Sequence, residues 1–256
     1  TSVTRPVDVM STIADDFDIQ ADWTGSTGSQ AWADNAWTEI DAGGLGTSTG
    51  NLQKSGGPDY VTRFRVNSPV GNEIYRTVGD LSAAVAVTLS FDRWCGDLES
   101  DDEVTVRIRP TTSSSWIELA AFKSCDGGPD AESFVLSAGQ FGSSTQLSFV
   151  VTEPFGNNDN FRVDNLQFDI TTRSTSTVAG SAPPDLYTLT DLLPGESATI
   201  VVNTTVNNSN VPAQIDNYAW ARSGNTVVSA EVTDCVLCFD FGDDPSTFNG
   251  AGGLDP

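Results

Sequence analysis

Apolar and polar residues alternate with a period of two through most of the first 170 positions. The alternation is clear in YVTRFRV (Tyr60 to Val66), VAVTLSF (Val85 to Phe91), EVTVRIR (Glu103 to Arg109), TQLSFVV (Thr145 to Val151) and NFRVDNLQFDI (Asn160 to Ile170). Each run puts one row of side chains on a buried face and the next on a solvated face, as a β-strand does. Gly, Asp, Ser and Asn clusters separate the runs at short intervals. No long stretch carries a 3.6-residue apolar period with helix caps. The pattern predicts an antiparallel β-sandwich or jelly roll. Leu89 and Phe91 share a face of one predicted strand, and Val104, Val106 and Ile108 a face of the next. The connection RWCGDLESDD between them carries Asp97, Glu99, Asp101 and Asp102, with Glu103 just beyond. Such acids could be a catalytic pair, a metal cage or a solvated turn. In a hydrophilic connection the solvated turn is the simplest reading.

The pattern changes after Ile170. TTRSTSTVAGSAPPD (Thr171 to Asp185) is rich in Thr, Ser and Pro and reads as a linker. Beyond it YTLTDL, SATIVVNTTV, QIDNYAWA and TVVSAEV are strand-like, with a Pro-Gly turn in LPGES (Leu193 to Ser197). Roughly four strands are present where an immunoglobulin-type sandwich uses about seven. The tail FDFGDDPSTFNGAGGLDP is Gly- and Asp-rich and is expected to be mobile on its own. The expected fold is therefore all-β: a jelly-roll β-sandwich plus a smaller, incomplete immunoglobulin-like β-sandwich. The expected division is an N-terminal extension (1–12), the jelly roll (13–170), the linker (171–185), the second domain (186–238) and the tail (239–256).

Composition narrows the function. Acids outnumber bases 35 to 12, for a net charge of −23. That field disfavours nucleic acid and anionic lipid and favours cations. No apolar run is long enough to insert into a membrane. The chain opens at Thr1 without Met or a signal-peptide pattern, which reads as a mature or trimmed product. It has no histidine, so the Ser-His-Asp and Cys-His arrangements are excluded within it. Carboxylate pairs at glycosidase spacing will arise by chance among 35 acids, and none is marked as desolvated. No catalytic residue is assigned, and the chain is not expected to be an enzyme.

Cys95, Cys125, Cys235 and Cys238 are even in number in an acidic, turn-rich chain, which fits an oxidising compartment. A Cys95–Cys125 bridge would close a loop of about 30 residues and stabilise by roughly 3–4 kcal/mol. Cys235-Val-Leu-Cys238 is open to a tight disulfide, a redox motif or half a zinc site. The strand character and acids around it favour two structural disulfides over a low-pKa redox pair.

Three segments are similar to known modules. Residues from about Ile13 to Ile170 resemble the MAM-like jelly-roll modules of large secreted bacterial proteins. The resemblance rests on IADDFD, AWTEI, GNLQ, IYRTVGDLSAAVAVTLSFD, DDEVTVRI, SSWIELAAF and FRVDNLQF, in that order. LTDLLPGESATIVVNTTV followed by QIDNYAWARS, within about Val178 to Val232, resembles the second half of the DUF11 surface-repeat domain, an immunoglobulin-like module. One explanation of the missing first half is a jelly roll inserted into this module, with TSVTRPVDVM (Thr1 to Met10) belonging to the second domain. FDFGDDPSTF (Phe239 to Phe248) is similar to the opening of the GEVED module. Together they imply a piece of a secreted or cell-surface protein without enzymatic activity.

The first resemblance also implies a structural calcium where the first and last jelly-roll strands meet. Antiparallel closure would bring Asp16, Asp18, Asp159 and Asp164 together there. The alternative is that these are solvated turn acids. Two functions follow. The first is a structural subunit of an extracellular filament, sheath or surface layer, a homopolymer built head to tail by β-strand complementation. Thr1 to Met10, alternating around Val3, Val7 and Val9, is the candidate donor strand. The second is a calcium-dependent carbohydrate-binding or adhesion module. Trp23 and Trp32, in the polar loop ADWTGSTGSQAWADN, would be its exposed glycan platform, with Trp37 and Trp116 in the core.

Overall fold

The computed structural model describes residues 2–18, 22–56, 60–65, 67–179, 194, 196–201, 214–223 and 226–235. Its strands are β1 (Ser2–Asp15), β2 (Thr38–Ile40), β3 (Leu52–Gly56), β4 (Tyr60–Phe64), β5 (Glu73–Gly79), β6 (Ala84–Leu98) and β7 (Glu103–Arg109). They continue with β8 (Ile117–Phe122), β9 (Cys125–Val135), β10 (Thr145–Glu153), β11 (Asn160–Ala179), β12 (Thr199–Val201), β13 (Gln214–Ser223) and β14 (Thr226–Cys235). The chain divides into two units, Ser2–Ile200 and, with Thr1, Val201–Pro256.

In the larger unit two antiparallel sheets form a sandwich. One runs β12-β1-β11-β4-β3, with β6 on the other side of β11 and β9 outside β6. The second runs β2-β5-β10-β7-β8. The period-two alternation sets the facing sides. Leu89, Phe91, Phe161, Val163 and Phe168 come from the first sheet, and Val104, Val106, Ile108, Leu147, Phe149 and Val151 from the second; all are buried. Phe91 and Phe149 meet across the gap at 5.3 Å in an edge-to-face pair. Such pairs lock rotamers as well as excluding water. The central strand β10 is buried at seven consecutive positions, so its outward side chains are covered as well.

Three expectations change. First, the hydrophilic connection after Phe91 is largely strand. β6 continues to Leu98 because β9 pairs with it as far as Leu98↔Cys125, leaving only 99–102 as the turn. Second, Thr171 to Ala179 is not linker. Its Thr-rich, β-branched sequence favours a pleated backbone, and it extends β11 in register with β1 from Asp15↔Leu166 to Ser2↔Ala179. Third, the segment of Val3, Val7 and Val9 is no free donor strand, because these residues stand opposite Val178, Ser174 and Thr172 of the same chain. Arg173 fastens this ribbon, pairing with Asp8 at 2.7 Å and Glu196 at 2.8 Å.

In the smaller unit, β13 and β14 form a hairpin in register from Gln214↔Cys235 to Ser223↔Thr226. The rest of the expected immunoglobulin-like sandwich in that unit, Cys238, the 180–185 stretch and the 239–256 tail lie outside the described residues.

Candidate functional site

Trp23 and Trp32 are not an exposed platform; they are 8% and 6% exposed and belong to the core. The polar loop that carries them folds back on β1. Thr27 and Gln30 donate their amides to the carbonyls of Ala14 and Thr12, at 3.0 and 2.8 Å. Trp32 Nε1 donates to the Ala14 carbonyl at 2.9 Å, and Trp23 Nε1 to Glu39 Oε2 at 3.0 Å. The loop's polarity serves a buried ion pair. Arg76 Nη1 donates to Asp15 Oδ2 at 3.0 Å and to the Gly25 carbonyl at 2.6 Å, and Nη2 to the Asn35 carbonyl at 3.0 Å. Trp37 Nε1 donates to the same Asp15 oxygen at 2.8 Å, and the Arg76 guanidinium lies 4.6 Å from the Trp32 ring centroid. Burial pushes the Asp15 carboxyl above its usual range and Arg76 below its own. Both shifts measure desolvation that the surrounding donors and acceptors offset.

The four acids expected to share one cation separate into two sets. Asp164 lies near Asp18, Asp92 and Asp16; burial, then these like charges, push its pKa up to about 6. Asp159 instead joins Glu99 and Asp102, with one oxygen from each within 4.8 Å of the others. Five residues of extended chain cover roughly 16 Å, so Asp159, just before β11, and Asp164, within it, stand well apart. The turn after β6 is therefore not simply wet: Asp102 and Asp159 are 3% and 1% exposed, while Glu99 is open to solvent. The Asp102 side chain, and then the Asp159 charge, raise the Glu99 carboxyl to about 7. An all-oxygen set of this kind suits a hard divalent cation. The Cys95–Cys125 disulfide joins β6 to β9 beside this turn, with Cα atoms 5.6 Å apart.

A further cluster, which the sequence reading did not single out, lies on the outer face of the five-stranded sheet. Alternation puts Val106 and Ile108 inward, so Arg107 and Arg109 point outward; Gln146 and Ser148 of β10 and Glu73, Tyr75 and Thr77 of β5 share that face. Arg107 donates to Glu73 Oε1 at 2.9 Å and to Ser148 Oγ at 3.2 Å, and Ser148 Oγ donates to Glu73 at 2.6 Å. Arg109 Nε donates to Gln146 Oε1 at 2.7 Å, and Gln146 Nε2 to Thr77 Oγ1 at 2.8 Å. Trp116, just before β8, lies 4.3 Å from the Arg109 guanidinium and 4.7 Å from that of Arg107. It is half-buried on this face rather than in the core. Donors, acceptors and one aromatic plane are thus held in place by one another. The sequence signal lies in EVTVRIR and TQLSFVV, whose polar positions fall on one face.

The sheets and their order define the class: an all-β protein built on a jelly-roll β-sandwich. No family model matches the chain, and no curated protein matches it. Solved structures resemble parts of the chain at low identity. One is the CBM22-1–GH10 modules of Clostridium thermocellum xylanase 10B complexed with xylohexaose, at 12% identity over 62% of this chain and 28% of that one, TM-score 0.43. This chain thus spans less than a third of that protein's length. A second is TmCBM61 in complex with β-1,4-galactotriose, at 9% identity over 52% of this chain and 86% of that one, TM-score 0.38. A third is the K3 cleaved adhesin domain of the Porphyromonas gingivalis Lys-gingipain, at 14% identity over 64% and 99%, TM-score 0.41.

Proposed function

We propose that this chain is a non-catalytic carbohydrate-binding module of a secreted or cell-surface protein, and that the outer face of the five-stranded sheet holds the glycan. One observation carries the reading: Trp116, Arg107 and Arg109, part-exposed on the outer face of the sandwich, are fixed by a bonded layer of Glu73, Ser148 and Gln146 buried beneath them. A sugar ring offers apolar C–H faces and a rim of hydroxyls. The indole of Trp116, with Tyr75 three strands away on β5, supplies planes for the former. The guanidiniums donate to the hydroxyls, and the buried Glu73 holds Arg107 in place beneath them. Because the side chains are already fixed, little rotamer entropy is lost on binding. The disulfide fits an extracellular setting.

Affinity electrophoresis against a panel of soluble polysaccharides tests this. Retardation by at least one neutral glycan is expected. Trp116→Ala should weaken it at least tenfold with the melting temperature held. Retardation that survives both Trp116→Ala and Arg107→Ala would remove this face from the proposal.

A structural calcium at Glu99, Asp102 and Asp159 is part of the same reading, supported by the oxygen set and the raised carboxyls. Self-assembly is the second reading, and β9 supports it. This strand pairs only with β6 among the described residues, and Val135 at its end is 82% exposed. Regular fibres in electron micrographs would favour it; a monodisperse monomer would count against it.

A further inference from the structure

The seven-stranded sheet carries a feature that composition argues against. The chain has 12 basic residues against 35 acids, yet three arginines gather on the outer face of this sheet. Arg63 of β4 stands directly opposite Arg162 of β11, and Arg65 follows two residues after Arg63. Continuing the register gives a row across four strands: Gln53 on β3, Arg63, Arg162, then Trp94 on β6. The row faces away from the core, because Leu52, Phe64, Phe161 and Cys95, each next along its strand, are buried inward.

Like charges in directly opposed positions destabilise a sheet. None of the three arginines makes an ion pair among the described residues. Arg63 Nε is buried without a hydrogen-bond partner, itself a cost to the fold. Burial, then the Arg162 and Arg65 charges, hold the Arg63 pKa below its usual value. The next row along the same face holds Asp164 opposite Asp92, neither of them ion-paired with these arginines, and Asp92 accepts from Asn165 at 2.9 Å. Arg162 is aimed by Asn160, whose Oδ1 accepts its Nε at 3.0 Å. A Cβ at Gly96 would collide with the Asn160 amide, so the glycine opposite leaves that amide its place. Arg162 is thus held in place, and among the described residues the cluster lacks the counter-charge that would make it favourable.

We propose that the Gln53–Arg63–Arg162–Trp94 row is a second binding site, and that its ligand is an acidic sugar: a saccharide ring bearing a carboxylate or a sulfate ester. The guanidinium fork matches the planar oxygens of such an anion. Trp94 offers the ring a plane, and Gln53, whose Nε2 donates to the Ser48 and Gly50 carbonyls, offers its hydroxyls the amide oxygen as an acceptor. The net charge of −23 restricts the ligand to isolated anionic groups. A polyanion would meet the whole repulsive field, whereas a single anion sits on the three arginines, and charges farther than the screening length of about 8 Å count little against it. The site is on the opposite sheet from Trp116 and does not rest on the glycan reading of that face.

Nuclear magnetic resonance titration of the whole chain with galacturonate, galactose 6-sulfate and galactose separates the two anion sources from the neutral ring. Galacturonate or galactose 6-sulfate should shift the Nε–H signals of Arg63 and Arg162 and the Trp94 indole, and bind at least tenfold tighter than galactose. Arg162→Gln should abolish that preference while melting at or above the wild-type temperature, since a like-charge contact is removed. Trp116→Ala should leave it unchanged. Equal binding of the three sugars, or a preference that survives Arg162→Gln or disappears with Trp116→Ala, would overturn the assignment. So would a lower melting temperature for Arg162→Gln, which would make the arginines structural.

Discussion

Arg76 and Asp15 form a charged pair that sits among tryptophans. Each is fully buried, and the pair is surrounded by the Gly25, Asp34 and Asn35 carbonyls and the Trp37 indole. Removing one partner leaves the other charge buried. Arg76→Met is therefore expected to cost about 3–5 kcal/mol, read as a lower urea midpoint at unchanged slope. A midpoint shift under half a unit of urea would show the pair to be dispensable. The alternation of EVTVRIR and TQLSFVV makes both faces of β7 and β10 legible in the amino-acid order by itself. The burial of Trp23 and Trp32 is not legible there, because a polar loop looks the same whether its groups face water or a buried guanidinium. Nor can Asp159 be assigned to Glu99 and Asp102 from spacing, since that needs the turn after β6 and the start of β11 brought together.

The strand pair β6–β9 is the element that composition hides best. CDGGPDAESFV carries two glycines, a proline and three acids, yet it pairs with β6 from Thr88↔Val135 to Leu98↔Cys125, with two register shifts. Glycine and proline weaken an edge strand, and irregular pairing is usual there. The Cys95–Cys125 disulfide is what offsets this weakness. A Cys95→Ser/Cys125→Ser variant should lose roughly 3–4 kcal/mol on the loop-entropy argument, and amide exchange in β9 should accelerate more than in β10. Equal acceleration in both would place the loss elsewhere. The β1–β11 ribbon is the opposite case: a Thr- and Ser-rich run looks like linker by composition, while its β-branched residues hold the signal for strand.

Several acids pull the molecule's pH response away from the usual course. Glu99, raised to about 7, and Asp164, raised to about 6, hold protons more tightly in the fold than in an unfolded chain, where such carboxyls titrate near 4. Asp159, Asp15 and Glu39 are raised as well. A carboxyl with a raised folded pKa adds stability at low pH that is lost as pH rises through that value. Glu103 opposes this only at lower pH, because its pKa is lowered by Thr152 and Lys123. The melting temperature should therefore be higher at pH 5.5 than at pH 7.5. Calcium should raise it at pH 7.5 and do little at 5.5, since cation and proton relieve the same repulsion. A melting temperature that falls steadily on acidification, with calcium inert at both values, would remove the charge clusters from the account.

The β1–β11 ribbon has a mechanical consequence. Ser2 and Ala179 stand across from each other, and antiparallel hydrogen bonds lie perpendicular to their strands. Tension applied at these two points loads one rung at a time, so the pair peels like a zip instead of shearing. The Arg173 clasp at Asp8 is reached partway down, and the sandwich bears no load until the rungs above it have opened.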